Sequence, residues 1–245
     1  MDELDKLKDA IEILSKTYLP DIDASVAIPS DDQQERTRAF VVLAHAEMEW
    51  FVEKIAERCA ETLATSAQNG RFSTAAFSLI SFSNQPEQGP GGSLGGKKEG
   101  RTIAKSFWAA NARLVAASQE NNGIREKHLA KLLVPLGLGG RVDAAWLGDI
   151  DSFAEHRGRY AHMSMHAKEA AKSTINPQEM LAVCRRIFNG SGANTGHLIS
   201  SMAQLHEALN KIENDTYAIM NTWDRLIVNF SNFSARLMPK FNRKL

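Results

Sequence analysis

Arg157 and His162 are the residues whose types and spacing could do chemistry, within Glu155-His156-Arg157-Gly158-Arg159-Tyr160-Ala161-His162. An arginine carries a permanent planar charge with a donor fork that fits a phosphate. A histidine takes or gives a proton near neutral pH. Together they could cleave RNA without a metal. The histidine would deprotonate the ribose 2′-hydroxyl and the arginine would stabilise the charge growing on the phosphate. Five residues of α-helix separate the two by about 7.5 Å of rise and about 140° of rotation, so they do not share one face. A second copy of the chain could complete a groove lined by two arginines and two histidines. The same residues also admit a plain reading, a surface arginine and a helix-end histidine, because short two-residue motifs recur by chance.

The segment over 142–170 must position this pair. Trp146, Leu147, Ile150 and Phe153 form an apolar stripe that anchors a helix leading to Arg157. Asp149, Asp151 and Glu155 lie upstream; Glu155 precedes Arg159 by four residues, the spacing of a helical ion pair. A long helix is expected from Asp32 to Gln68, with Phe40, Ala44, Met48, Phe51, Ile55, Cys59 and Leu63 as its core stripe. His45 and Glu49 stand one turn apart on it. They could form a metal or acid–base pair, but a contact on the helix surface is the commoner outcome.

The remaining pattern is also helical. The spacing predicts helices over 2–19, 71–83, 101–120, 124–134 and 177–188, the last with Pro177 at the favoured first position. Asn121-Asn122-Gly123 reads as a turn, and His128 as a partly covered surface histidine. From Leu198 to Leu237 apolar residues alternate in steps of four and three, with Thr216 as the exception. That pattern predicts a helix about 60 Å long. It would serve either as a coiled-coil-like seam for a dimer or partner, or as a helix packed on its own bundle. No convincing alternation for a β-strand is present, so the fold class is all-α.

Composition bounds the function. The chain has 245 residues, 43% hydrophobic and 24% charged, ordinary values for a globular protein. Its 29 basic and 29 acidic residues cancel, so an RNA site must be a local patch rather than a broad basic surface. Cys59 and Cys184 read as reduced, buried residues of a cytoplasmic protein, with no zinc-site spacing. The start of the chain lacks the pattern of a signal peptide, and no apolar run is long enough for a membrane span. Residues 84–100, rich in Gly and Pro, read as a flexible loop. Gly95-Gly96-Lys97 within it lacks the strand and the GK[ST] ending of a phosphate-binding loop.

The stretch from Trp146 to His162 resembles the HEPN family, whose mark is an arginine, four to six residues, then a histidine. It looks most like the RiboL-PSP-HEPN branch, and Phe40–Phe51 is similar to the long early helix of that branch. The resemblance covers roughly residues 35–170. It implies a HEPN-like helical bundle over 1–175, followed here by a helical extension over 176–245 with the long heptad-patterned helix. It implies a homodimeric endoribonuclease needing no metal or cofactor, a toxin or defence effector whose further partner would be an antitoxin or defence protein. Arg157 and His162 take the two catalytic positions, with His156, Arg159 and Glu155 as groove-lining, substrate-binding residues. Many active members carry Asn, Asp or His directly after the arginine; this chain has Gly158. The alternative is a non-catalytic HEPN protein that binds RNA or a protein partner, and a helical scaffold without chemistry is a third.

Overall fold

The computed structural model describes residues 2–19, 29–83, 103–162, 176–190 and 198–218, with the backbone alone at 161 and 162. Helices are the regular elements of these residues, with one isolated bridge between Val142 and Ile199 and no strand among them. The helices are α1 (Glu3–Tyr18), α2 (Asp31–Gln68), α3 (Thr74–Ser83), α4 (Ile103–Gln119), α5 (Glu126–Leu133), α6 (Ala144–His162), α7 (Pro177–Asn189) and α8 (202–218). A short 3₁₀ turn at Gly139–Arg141 precedes α6. The expected flexible loop at 84–100 and the heptad positions from Ile219 onward lie outside the described residues.

α2 is the axis of the bundle. At 38 residues it is about 57 Å long. It starts at a capping box: Ser30 Oγ accepts from the Gln33 amide, and the Gln33 side chain accepts from the Ser30 amide. Its expected stripe, from Phe40 through Met48 and Ile55 to Leu63, is fully buried. A second stripe is buried too. Val41, Val52, Ala56 and Ala60 all sit in the core, because α1, α4, α5, α6 and α7 pack around α2 on several sides. A central helix is therefore apolar over more than one face.

α6 lies against α2 and α7. Ile150 and Phe153 are fully buried and Trp146 nearly so, with Trp146 Nε1 donating to the Ile187 carbonyl of α7 at 2.8 Å. α7 starts at Asn176, whose side chain accepts from the Gln178 and Glu179 amides, with Pro177 at the first helical position.

The last apolar series begins differently from the expectation. Leu198 and Ile199 are not helical. Ile199 bridges Val142 through hydrogen bonds to Asp143 N and Arg141 O, and the helix starts only at 202. Within α8, Met202, Leu205 and Leu209 are fully buried in the same core as α1 and α2. Thr216 does not weaken the packing, since it is buried and its Oγ1 returns a hydrogen bond to the Ile212 carbonyl at 2.8 Å. Arg58 of α2 ties three helices, pairing with Glu3 of α1 and with Glu213 and Asn210 of α8.

Two helices carry large apolar side chains on their outer faces. In α3 the buried residues are Ala75, Ala76 and Leu79, while Phe77 and Phe82 are exposed. In α4 Phe107, Ala110 and Leu114 are buried, while Ile103 and Trp108 face outward.

Candidate functional site

Arg157 extends the apolar stripe of α6. Positions 146, 150 and 153 are buried, and the next step of four lands on the arginine, which is half-buried. Its charge reaches α2, where it acts on both His45 and Glu49. His162 ends α6, and its side chain lies outside the described residues.

The expected groove-lining residues are engaged within α6 itself. His156 Nδ1 lies 2.9 Å from the Tyr160 hydroxyl. Arg159 forms an ion pair with Glu155 on an exposed face. Neither contact joins Arg157.

The structure instead brings a different set to Arg157. His45 is not on the helix surface as expected: it is 2% exposed and occupies the second buried stripe of α2. Its Nδ1 has no hydrogen-bond partner and stands 3.7 Å from a Glu49 carboxylate oxygen. Burial first, then the charges of Arg157, Arg125 and His128, hold the His45 pKa down at about 4. The ring is therefore neutral at physiological pH. Burial also raises Glu49, against the opposing effects of the Gly123 amide and Arg157.

The turn between α4 and α5 closes this set. Gly123 has φ of 129°, and a Cβ there would stand 2.9 Å from His128 Nδ1 and 3.8 Å from His45 Cε1. Only glycine lets the turn approach both rings. Asn121 Nδ2 donates to Glu53 of α2 and to the Gly123 carbonyl. His128 is half-covered, as expected, but its Nδ1 is buried without a partner.

Arg125 immediately precedes α5 and does not cap it; instead Asp151 of α6 accepts from the Glu126 amide at 2.9 Å. Asp151 and Gly158 are seven residues apart and share a face of α6. The start of α5 thus lies along that face, and Arg125 Nη2 comes within 3.8 Å of where a Cβ on Gly158 would stand. Sequence reasoning passed over Arg125 entirely. It discounted His45, although Val41, His45 and Val52 follow one helical stripe, a signal that the histidine is buried.

Elsewhere, Asp2, Glu3 and His206 bring possible metal-ligand atoms within 4.8 Å of one another. These groups already have partners: Asp2 pairs with His206 at 2.9 Å, and Glu3 with Arg58. Both cysteines are free and buried; burial raises the Cys59 thiol and pushes Cys184 up to about 12, so neither is a ready nucleophile. Among the described residues no helix is long and apolar enough to cross a membrane. No family model, no curated protein and no solved structure matches the chain.

Proposed function

We propose that the chain is a HEPN-type endoribonuclease that cleaves RNA without a metal, through a composite Arg/His site in a homodimer, and acts as a toxin or defence effector. Arg157 carries the reading. It is a guanidinium at the core-facing stripe of α6, half-buried, and in no ion pair with a carboxylate among the described residues. A partly desolvated arginine that feels Glu49 only at a distance favours a closer anion.

In this reading Arg157 holds the scissile phosphate and His162 takes the proton from the ribose 2′-hydroxyl. The 2′-oxygen bonds to phosphorus and the bond to the 5′-oxygen breaks. The leaving oxygen is protonated by His162 of the second copy. The products carry a 2′,3′-cyclic phosphate and a 5′-hydroxyl. The angular separation of positions 157 and 162 is the reason two copies are required.

A second reading, a non-catalytic protein that binds RNA or a protein partner, is favoured by the contacts of His156 and Arg159 within their own helix. The two separate in one assay. Purified protein is mixed with total cellular RNA in excess chelator, beside Arg157→Ala and His162→Ala, and the product ends are identified. The nuclease reading expects cyclic-phosphate ends and a loss of about 10²-fold or more in each variant. Equal cleavage by all three proteins refutes it; binding without cleavage supports the second reading.

A further inference from the structure

We propose that Arg125 and Arg157 together form a phosphate-binding clamp on the α5–α6 edge, with His45 as its floor. The proposal rests on the nuclease reading for the identity of the ligand, an internucleotide phosphate of single-stranded RNA.

Three observations carry it. The first is convergence. Arg125 and Arg157 come from different elements, yet both act on the His45 ring, and Arg125 also lies against Gly158, the residue next to Arg157. The second is the lack of a direct carboxylate partner. Among the described residues neither guanidinium is in an ion pair with a carboxylate. Asp151, the nearest acid with a role at the start of α5, is used by the Glu126 amide. Two like charges that converge on one ring repel; Glu49 offsets this in part for Arg157, and an anion placed between the two arginines removes the rest. The third is the floor. His45 is buried with an unpartnered Nδ1, and His128 Nδ1 beside it is likewise buried and unpartnered. Buried nitrogens without a well-formed hydrogen bond, His45 Nδ1 with Glu49 at 3.7 Å and His128 Nδ1 with only the Gly123 backbone beside it, leave room for a further polar group.

The clamp also gives Gly158 a purpose. A residue with a side chain directly after Arg157 would project toward the Arg125 guanidinium. Glycine leaves that space to Arg125, which brings its own donors to the place where a polar side chain at 158 would stand. Arg125 is exposed and Arg157 half-buried, so the clamp runs from the surface inward toward His45. Four charged or titratable groups face the His45 ring: Glu49 from its own helix, Arg125 and His128 from the α5 region, and Arg157 from α6.

The test uses the full chain and two probes. The first is a fluorescent single-stranded RNA with 2′-O-methyl sugars, which cannot be cleaved by 2′-attack; its anisotropy is followed over a salt series. The second is inorganic phosphate, with the His45 ring followed by NMR titration. Arg125→Gln and Arg157→Gln are each expected to weaken oligonucleotide binding about tenfold and to reduce the slope of log affinity against log salt by about 0.7. Arg125→Lys should recover most of the slope, which a merely structural role would not predict. Phosphate should raise the His45 pKa in the native chain and not in Arg125→Gln.

The proposal is overturned if Arg125→Gln keeps native affinity and slope and phosphate leaves His45 unmoved. Cleavage that still depends on Arg157 and His162 in that case would leave the nuclease reading standing. The converse is also distinguishable: phosphate acting on His45 through Arg125, with no RNA bound or cut, would keep the clamp and remove the nuclease.

Discussion

His45 shows most directly how burial sets chemistry at a single residue. An unfolded chain would protonate this histidine near pH 6.5, whereas the folded chain does so only at about 4. Between those values the unfolded state binds more protons, so stability rises with pH across the window and is lost as pH falls from about 6.5 to about 4. The full difference is about 3 kcal/mol. Glu49 and Glu53, raised by burial, act with the opposite sign, favouring the fold as they protonate. Urea unfolding at a series of pH values should therefore show a steeper acid loss in the native chain than in His45→Gln; equal slopes would mean that the ring is not held neutral. At Gly158 the outlook is different. The residue is helical, and a Cβ would meet Arg125 only at ordinary contact distance. Gly158→Ala should add about 1 kcal/mol, a rise in Tm of about 2–4 °C. Gly123→Ala should do the reverse, because its positive φ and the 2.9 Å approach to His128 both oppose a side chain.

Elements of this protein are joined by a few specific polar ties laid over an apolar core. Arg58 links α1, α2 and α8 through Glu3, Glu213 and Asn210. It is partly buried, so its loss leaves two partly buried carboxylates without their shared partner. Arg58→Ala should cost about 2–3 kcal/mol in denaturant unfolding, more than an exposed surface pair such as Lys16–Glu12, whose loss should cost well under 1 kcal/mol. Asp151 is a tie of another kind. It caps α5 from α6, so Asp151→Ala should cost about 1 kcal/mol. It should also loosen Arg125 relative to Arg157, a change visible as weaker phosphate binding with α6 still folded.

At the scale of the whole molecule, the question is whether the end of the chain is an appendage. Ile199, Met202, Leu205 and Leu209 are buried in the same apolar cluster as Leu7, Phe51 and Phe153. The described part of the heptad series is thus occupied within its own bundle. Leu209→Ala should cost about 2–5 kcal/mol, as for a core leucine. A chain ended after Asn189 should lose its near-UV circular dichroism and its cooperative unfolding transition. Retention of both would mean that residues 1–189 fold by themselves.

The sequence by itself determined the all-helical class and most helix positions. Stripes as long as those of α2 and α6 fix a helical period, Ser30 marks the start of α2 through local hydrogen bonding, and Asn176 and Pro177 mark the start of α7. It also singled out Arg157, by its residue type and its five-residue spacing to His162; that the arginine continues the buried stripe of α6 came from the structure. Buried faces were less legible than helix positions: in α3 and α4 three aromatic residues and an isoleucine lie outside, because a helical period does not say which side a neighbouring element will cover. What surrounds Arg157 was decided only by tertiary structure. His45 comes from α2 and Gly123, Arg125 and His128 from the turn into α5, two segments distant in sequence from α6 and from each other, and no periodicity links them. They meet because α2 is enclosed on several sides and because Asp151 fixes the start of α5 to α6. Burial then changes what each group can do, leaving His45 neutral and two arginines facing it.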